Sequence, residues 1–334
     1  MKTLRLGIIG TGIAANDLYL PELMRLRSKI ELVAVANRRT QKARAFARKA
    51  GVPVVCDSAD ELLARTDVEA VLLSLPIDVV AKWVKKALAS GKHVISEKPI
   101  AASVAEGQRL IKASRKYPRV WLVGENFYFA PHVLAARRWV EAGRLGEVRL
   151  VEASQLVWMA RGNRYFETSW RRRPRFVGGF VADGGVHVAN VVRELFGMPR
   201  VVHSLTGSFN PELPPLDTVV ATLAFANGAL GVWKSCFSVR AAGERPLVVA
   251  YGSKANLEVY YRHATLTPHA PGVKRSEQQT AVSEHSGFYH EFLHFYDCVV
   301  RGKPLLFSPR SALLDLELME RLVARARRRP RASL

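Results

Sequence analysis

The side chains best suited to chemistry are a lysine that follows a short apolar run and an acid and an imidazole in a glycine-rich segment. Lys98 comes two residues after the run His93 to Ser96, and Asp183 stands four positions before His187. In a helix, a spacing of four places two side chains on one face. Taking a hydride from an alcohol requires a base for the hydroxyl proton, and the ordinary pKa of histidine suits that task. His187 is therefore a candidate for that base, a nearby ammonium such as Lys98 would polarise the oxygen, and Asp183 would orient the ring or bind a neighbouring hydroxyl.

A glycine-rich turn near the start of the sequence predicts a binding site for a dinucleotide. The apolar run Leu4 to Ile9 leads into Gly10-Thr11-Gly12-Ile13-Ala14-Ala15, after which a helical pattern begins. The two glycines permit a sharp turn and a close approach to a pyrophosphate, and the following helix offers unpaired N–H groups to its charge. Alanine in place of the last glycine is allowed by the motif. The predicted contacts in this turn are Gly10, Thr11, Gly12 and Ile13.

The end of the second apolar run indicates which nicotinamide cofactor is preferred. A carboxylate at this point binds a free ribose 2′-hydroxyl and repels a 2′-phosphate, whereas a guanidinium binds the phosphate. The chain has Asn37-Arg38-Arg39, so NADP(H) is favoured and NAD(H) is the alternative. Arg38 is the predicted chief contact, with Asn37 beside it and Lys42 as a helper. The other interpretation is that these cations merely begin the next helix.

The first 123 residues alternate between strand and helix patterns. Short runs rich in valine and isoleucine are typical of buried parallel strands, and segments with apolar residues at helical spacing lie between them. The predicted strands are Leu4 to Ile9, Leu32 to Ala36, Ala70 to Leu75, His93 to Ser96 and Val120 to Val123, and the predicted helices are Lys42 to Ala50, Val79 to Ala89 and Val104 to Tyr117. This alternation favours an α/β Rossmann domain, a doubly wound parallel sheet, over residues 1–123. Because ligands of such sheets bind at the carboxyl ends of the strands, Lys98 is expected to face the cleft.

The pattern of residues 124–334 is typical of a different domain. Strand-like runs follow one another with few long helices between them, which favours an α+β domain on a mostly antiparallel open sheet. The predicted strands are Glu147 to Val157, Val201 to Phe209, Val219 to Phe225, Leu230 to Val239, Leu247 to Ala250 and Ala255 to Tyr260, and the predicted helices are Pro131 to Ala142, one from near His187 to Leu195, Gly287 to Arg301 and Ser311 to Arg327. The last helix of this region is a candidate to pack back on the first domain.

Composition and charge argue against several classes of protein. An apolar fraction of 49% and a charged fraction of 24% are those of an ordinary globular protein, and no apolar run is long enough for a membrane helix, so we expect a cytoplasmic protein without a membrane partner. Much of the net charge of +21 sits at Arg171 to Arg175 and Arg325 to Arg331, but no nucleic-acid-binding motif accompanies it. Cys56, Cys236 and Cys298 include no C-x-x-C pair, so neither a disulfide framework nor a metal site is expected.

Four motifs together resemble a known family. They are Gly10-Thr11-Gly12-Ile13-Ala14, Gly91-Lys92-His93-Val94-Ile95-Ser96-Glu97-Lys98-Pro99, Trp170-Arg171, and Gly178-Gly179 followed by Asp183, Gly185 and His187. By these motifs nearly the whole chain resembles the glucose-fructose oxidoreductase, inositol dehydrogenase and rhizopine-catabolism group (Gfo/Idh/MocA). The resemblance implies that residues 1–123 form a Rossmann domain and that residues 124–334 bind the substrate and mediate oligomerisation. The second domain has an open, mainly antiparallel sheet whose outer face commonly pairs subunits, hence a homodimer or homotetramer. It also implies NAD(P)-dependent hydride transfer to or from a sugar, polyol or related compound.

The resemblance also assigns roles to particular residues. By it, Lys98, Asp183 and His187 are similar to a catalytic triad in which the histidine moves the proton, and the bond between Lys98 and Pro99 is expected to be cis. The residues that it places near the cofactor are Ser74, Leu75, Pro76, Glu97, Asn126, Trp170, Arg171 and Tyr289. The residues that it places near the substrate are Lys98, Tyr128, Asp183, His187 and Asn190.

Three positions depart from the pattern of the family. Where relatives often have Pro-Asn-x-x-His, this chain has Pro76-Ile77-Asp78-Val79-Val80, so one polar contact is missing. Asn190 stands where many relatives have an aspartate, so a sugar hydroxyl usually met by a carboxylate meets an amide. Tyr128 stands where an arginine is usual. The identity of the sugar is therefore not carried over from the inositol dehydrogenases.

The sequence leaves the substrate and the type of activity open. The segment Trp158 to Phe176 mixes arginines with aromatic side chains, which suits an acidic or phosphorylated sugar and equally a basic surface loop. The alternative functions are a non-catalytic dinucleotide-binding regulator and a hydrolase or epimerase that oxidises and re-reduces its substrate on a tightly held cofactor. Retention of Lys98, Asp183 and His187 argues against the regulator, because a sensor needs no proton relay.

Overall fold

The chain divides into two compact units. A computed structural model describes residues 2–269, 279–282, 287–324 and 326–328. One unit comprises Met1–Asn126 with Ser286–Leu313, and the other comprises Phe127–His285 with Leu314–Leu334. The late segment up to Leu313 therefore rejoins the first unit after the chain has built most of the second.

The first unit is built on a parallel sheet of six strands. The strands are β1 (Leu4–Ile9), β2 (Ile30–Ala36), β3 (Val54–Cys56), β4 (Ala70–Leu73), β5 (His93–Ser96) and β6 (Trp121–Val123), in the spatial order β3-β2-β1-β4-β5-β6. A π-helical turn (Ala15–Tyr19) continues into α1 (Leu20–Arg25), and the other helices are α2 (Thr40–Ala50), α3 (Ala59–Ala64), α4 (Ile77–Ala89), α5 (Val104–Ser114) and α9 (Gly287–Arg301). Because the order of strands reverses between β1 and β4, a crevice opens at the carboxyl ends of these two strands.

Local sequence explains several of these elements. Every residue of β4 is buried, as expected for a strand covered on both faces. Ser58 and Ser103 begin α3 and α5, where each side-chain oxygen accepts a hydrogen bond from a backbone N–H three residues later. Gly51 ends α2 in the left-handed conformation, with φ of +67°. These caps fix the helices that connect the strands.

The second unit is built on a mostly antiparallel sheet. Its strands are β7 (Val148–Leu156), β8 (Arg200–Gly207), β9 (Thr218–Ala224), β10 (Leu230–Cys236), β11 (Val248–Gly252), β12 (Ala255–Val259), β13 (His263–Pro268), β14 (Gln279–Val282) and β15 (Ala326–Arg328). Among the described residues the order is β14-β13-β12-β11-β7-β10-β9-β8-β15, and only the pairs β7–β10 and β8–β15 are parallel. The helices are α6 (Pro131–Glu141), α7 (Ser169–Arg172), α8 (Gly179–Phe196) and α10 (Pro309–Ala324), of which α10 begins in the first unit. Buried and exposed side chains alternate along β9, so one face of the sheet carries the core.

The close packing of α8 explains its glycines. A Cβ atom added at Gly185 would lie 2.3 Å from Cε of Met319 on α10, and one added at Gly184 would lie 2.9 Å from Nε2 of Gln155 on β7. A larger residue at either position would displace the end of a flexible side chain, so the two glycines let Met319 and Gln155 pack directly against the helix. Glycine lowers intrinsic helix propensity, but here tertiary packing outweighs that cost.

The predicted fold class is confirmed, and the differences concern the ends of some elements and several short elements. The predicted start of a helix near His187 was wrong, because α8 begins at Gly179 and includes Gly184 and Gly185. The predicted helix Ser311 to Arg327 ends at Ala324, and residues 326–328 pair with β8 instead. The rest of the basic tail, Arg325 and residues 329–331, lies outside the described residues. The short elements β3, α3, α7, β13 and β14 were not predicted.

The three cysteines are free, and two of them, Cys56 and Cys298, are buried. In the ranges that the structure describes, no group of three or more histidine, cysteine or acidic side chains is arranged to hold a metal ion. None of the described helices has the length and apolar character required to cross a membrane.

Candidate active site

The glycine-rich turn lies at the carboxyl end of β1, and its two glycines have different roles. Gly10 has φ of +96°, and a Cβ added there would lie 2.2 Å from the carbonyl oxygen of Ser74, so only glycine fits. Gly12 faces open space, because an added Cβ would meet no atom within 4 Å. Nδ2 of Asn16 donates to the backbone oxygens of Thr11 and Gly12 at 3.1 and 2.9 Å. The turn and the helix that begins at Ile13 thus form a cradle that fits a pyrophosphate group.

Asn37 connects the end of β2 to this turn. Its Nδ2 donates to Oγ1 of Thr11 at 2.8 Å, and its Oδ1 accepts from the backbone N–H of Arg39 at 2.9 Å. Arg38 and Lys42 are exposed next to this amide. In the described part of the chain neither cation has a salt-bridge partner, so both charges are available to an anion beside the turn.

The loops after β4, β5 and β6 bring further predicted cofactor residues to the same edge of the sheet. Backbone hydrogen bonds join these loops: N–H of Ser74 donates to the oxygen of Ile9 at 2.9 Å, and N–H of Glu97 donates to that of Leu73 at 3.1 Å. The predicted residues at this edge, all half-buried, are Ser74, Leu75, Pro76, Glu97 and Asn126. Tyr289 is also half-buried and belongs to the same unit, on α9.

Glu97 and Lys98 follow β5 directly. Glu97 accepts a hydrogen bond from the hydroxyl of Tyr19, a residue that the sequence did not single out. Tyr19 is 4% exposed and meets Phe292 of α9 edge to face, with ring centroids 5.6 Å apart. Lys98 is half-buried, and its bond to Pro99 is cis. Tyr19 therefore connects the loop after β5 to α9.

Asp183 and His187 lie one helical turn apart on α8, in the second unit. The Asp183 side chain is buried and the His187 side chain is half-buried. The His187 ring lies beside Phe127, with ring centroids 5.1 Å apart, and Tyr261 meets the same phenyl ring edge to face at 5.3 Å. The pair thus combines a buried carboxyl group with an imidazole that lies against an aromatic side chain.

Arg171 was predicted to contact the cofactor, and within the second unit it binds the carboxylate of Asp183. Nε of Arg171 lies 2.6 Å from Oδ2 of Asp183, and both side chains are largely buried, at 14% and 9% exposure. The guanidinium also lies over the rings of Trp170 and Tyr165, at 4.0 and 5.0 Å from their centroids. The aromatic rings and the ion pair together fix the position of the guanidinium, and the guanidinium in turn orients the carboxylate.

Asn190 and Tyr128, the two predicted substrate residues that depart from the family pattern, both contact one network of charged side chains. Asn190 is fully buried, and its Nδ2 donates to Oδ2 of Asp315 on α10 at 3.0 Å. Arg193 donates to Oδ1 of Asp315 at 2.7 Å and lies 2.7 Å from Oε1 of Glu194. Burial lowers the pKa of the Arg193 guanidinium, but Asp315 and Glu194 outweigh that effect and raise it above its ordinary value.

The same network reaches Tyr128 through Arg137. The other carboxylate oxygen of Glu194 accepts from Arg137 at 2.9 Å, and the Arg137 guanidinium lies 4.5 Å from the centroid of the Tyr128 ring. Asp315 and Arg137 were missed by sequence reasoning. For Asp315 a signal exists, since it is an acid on the apolar face of a helix between the buried Leu313 and Leu316.

Comparison with known proteins identifies the family. Residues 4–125 match the model described as an oxidoreductase family with an NAD-binding Rossmann fold, and residues 137–334 match its C-terminal alpha/beta domain. The chain belongs to this oxidoreductase family. The predicted resemblance is therefore confirmed.

Individual relatives align with this oxidoreductase over different shares of the two chains. An uncharacterized protein of Saccharomyces cerevisiae is 31% identical over 96% of this chain and 95% of its own. A dTDP-3,4-didehydro-2,6-dideoxy-α-D-glucose 3-reductase of Streptomyces violaceoruber is 35% identical over 59% of this chain and 56% of its own. The crystal structure of an oxidoreductase from Thermotoga maritima has a TM-score of 0.89 at 33% identity and covers 97% of both chains.

Proposed function

We propose that this oxidoreductase transfers a hydride between NADP(H) and a carbon that bears a hydroxyl or carbonyl group on a sugar, polyol or related compound. The observation that carries the proposal is the pair Asp183 and His187 on α8, one turn apart, with the carboxylate bound by Arg171. Similarity to a reductase of a nucleotide-linked deoxysugar supports a sugar-like substrate.

The residues that would hold the cofactor lie at the carboxyl edge of the parallel sheet. The cradle at Gly12 would take the pyrophosphate, and Arg38 with Lys42 would take the 2′-phosphate of NADP(H). The other proposed contacts in this unit are Gly10, Thr11, Ile13, Asn37, Ser74, Leu75, Pro76, Glu97, Asn126 and Tyr289, and those in the second unit are Trp170 and Arg171. When bound, the nicotinamide ring supplies or accepts the hydride.

The remaining chemistry is a proton transfer, which we assign to His187 assisted by Lys98 and Asp183. During oxidation an imidazole nitrogen of His187 takes the proton of the substrate hydroxyl, and during reduction it returns a proton to the same oxygen. The ammonium of Lys98 polarises that oxygen. Asp183, as a carboxylate paired with Arg171, only accepts hydrogen bonds, so it orients the imidazole or a neighbouring hydroxyl. Tyr128 and Asn190 are the other proposed substrate residues.

A cofactor-reduction screen tests the proposal. The protein is assayed with sugars, uronates and inositols, each with NADP⁺ and with NAD⁺. Lys98→Ala should abolish turnover while NADP⁺ binding stays within a few fold, because the proposed role of Lys98 is at the reacting carbon. Lys85→Ala, which removes an exposed lysine of α4, is the matched control and should behave as the wild type. Equal loss of binding and turnover in Lys98→Ala would contradict the assignment.

We also propose that the outer face of the second sheet pairs with a second copy of the chain. Leu230 on β10 and Leu150 on β7 are neighbours in register, and Leu230 is 63% exposed. Val220 on β9 adds a further apolar side chain that is 49% exposed. Light scattering should give a dimer or tetramer, and Val220→Asp should yield monomers. Met24→Asp, at an exposed apolar residue of α1, is the control; if it dissociates the assembly equally, this face is not the interface.

A further inference from the structure

Helix α9 places a carboxylic acid at the carboxyl ends of β5 and β6. Glu291 is 1% exposed. A Cβ added at Gly124 would lie 3.0 Å from Oε1 of Glu291 and 3.2 Å from the carbonyl oxygen of Ser96, the last residue of β5. The backbone N–H of Gly124 donates to that same carbonyl at 2.7 Å. The Glu291 carboxyl group therefore lies against the backbone where these two strands end.

Two other carboxyl groups belong to the same edge. Glu97 follows Ser96 directly, and Glu125 follows Gly124 and is 2% exposed. Tyr19, from the π-helical turn, donates its hydroxyl hydrogen to Glu97. The ionisable groups whose charges act on Glu291 are thus Glu97 after β5 and Glu125 after β6. We call Glu97, Glu125 and Glu291 the carboxyl cluster.

Glu291 differs from an ordinary buried ion-pair partner. Its Oε2 is buried and accepts no hydrogen bond in the part of the chain that the structure describes. Burial raises the pKa of the Glu291 carboxyl well above its ordinary value, and the negative charges of Glu125 and Glu97 raise it further. A buried oxygen without a partner is tolerable on a neutral acid and costly on a carboxylate.

We propose that Glu291 is a positioning residue of the cofactor site, which acts through the carboxyl cluster by setting how many negative charges face the nicotinamide end of the bound cofactor. This inference rests on the proposed function, which puts Glu97 next to the cofactor at the carboxyl edge of the sheet. The oxidised nicotinamide ring carries a positive charge that the reduced ring lacks. An additional negative charge in the cluster therefore strengthens binding of NADP⁺ relative to NADPH.

This charge coupling predicts a specific dependence of binding on pH. Below the raised pKa, Glu291 is neutral and the cluster has its smaller charge. Above it, Glu291 ionises, and the ratio of the NADP⁺ to the NADPH dissociation constant falls. The fall is on the order of tenfold, which is what one charge about 10 Å away produces at an effective dielectric constant of about 20. The 2′-phosphate is present on both forms of the cofactor, so its own titration cancels in the ratio.

The test is to measure both dissociation constants from about pH 6 to pH 10. The whole range lies above the ordinary glutamate pKa of about 4.3. The wild type should show the tenfold fall, and Glu291→Gln, which is neutral at every pH, should show a constant ratio. Glu31→Gln removes an exposed carboxylate at the start of β2 and should titrate as the wild type does. A ratio that is flat in the wild type, or that still falls in Glu291→Gln, would overturn the inference.

A second variant keeps the inference testable if Glu291→Gln does not fold. Glu125→Gln removes one neighbouring negative charge, so the midpoint of the fall should move to lower pH. An unmoved midpoint would overturn the inference. Failure of the proposed function looks different, because then neither form of the cofactor binds the wild type at any pH.

Discussion

Removal of the Asp315 carboxylate should destabilise the second unit strongly. The Asp315 side chain is 3% exposed, and it holds Arg193, whose side chain is 11% exposed, at 2.7 Å. Breaking such a buried pair by deleting one partner costs about 3–5 kcal/mol. In Asp315→Ala the guanidinium keeps Glu194 at 2.7 Å, which favours the lower end of that range, but the buried amide of Asn190 also loses its acceptor. We expect a loss of about 3 kcal/mol in the free energy of unfolding.

Urea denaturation followed by tryptophan fluorescence and circular dichroism measures this loss. The matched control is Glu317→Ala on the same helix, which removes a carboxylate from the exposed pair with Arg321, at 31% and 45% exposure. An exposed pair at this spacing contributes about 0.5 kcal/mol or less, so the control should unfold close to the wild type. A loss below about 1 kcal/mol in Asp315→Ala would refute the reasoning, since that is the size of one ordinary hydrogen bond. Equal losses in the two variants would refute it as well.

Three further predictions concern the first unit. Gly10→Ala should weaken dinucleotide binding by more than tenfold, because the alanine Cβ would lie 2.2 Å from the carbonyl oxygen of Ser74. Calorimetry measures the affinity, and an unchanged affinity would contradict the proposed pyrophosphate cradle. Arg38→Asp should shift the ratio of kcat/KM values from NADP toward NAD, and an unchanged ratio would refute the proposed 2′-phosphate contact. The pKa of Glu291 is raised in the folded protein, so between about pH 4.3 and that raised pKa the folded state holds a proton that the unfolded state releases. The free energy of unfolding of the wild type should therefore fall by up to about 1.4 kcal/mol per pH unit over this range. Glu291→Gln should lack this component in denaturation measured across that pH range.

The parallel sheet and its glycine-rich turn could be predicted because both depend on local patterns. Strands buried on both faces are continuous apolar runs, and only glycine accepts φ of +96° with the oxygen of Ser74 at the position a side chain would occupy. A spacing of four puts Asp183 and His187 on one face wherever that segment is helical, and α8 contains both residues.

Features set by contacts distant in sequence could not be predicted in this way. The start of α8 was misplaced because Gly184 and Gly185 weaken a helical pattern, and the side chains of β7 and α10 that pack against them come from distant parts of the chain. The carboxylate that holds Asn190 comes from Asp315, 125 positions later in the chain. The burial of the Glu291 carboxyl group could not be predicted either, because it depends on the packing of α9 against the ends of β5 and β6.

The central claim is that this chain moves a hydride with proton transfer by His187. The most direct measurement uses NADPH labelled with deuterium at the transferable position of the nicotinamide, a ketose or keto-sugar substrate, and mass spectrometry of the alcohol product. The wild type should place the deuterium on the product carbon, while His187→Ala should bind NADPH with near wild-type affinity and transfer at least about a hundredfold more slowly. Deuterium that never reaches a sugar product, or a transfer rate unchanged in His187→Ala, would contradict the account.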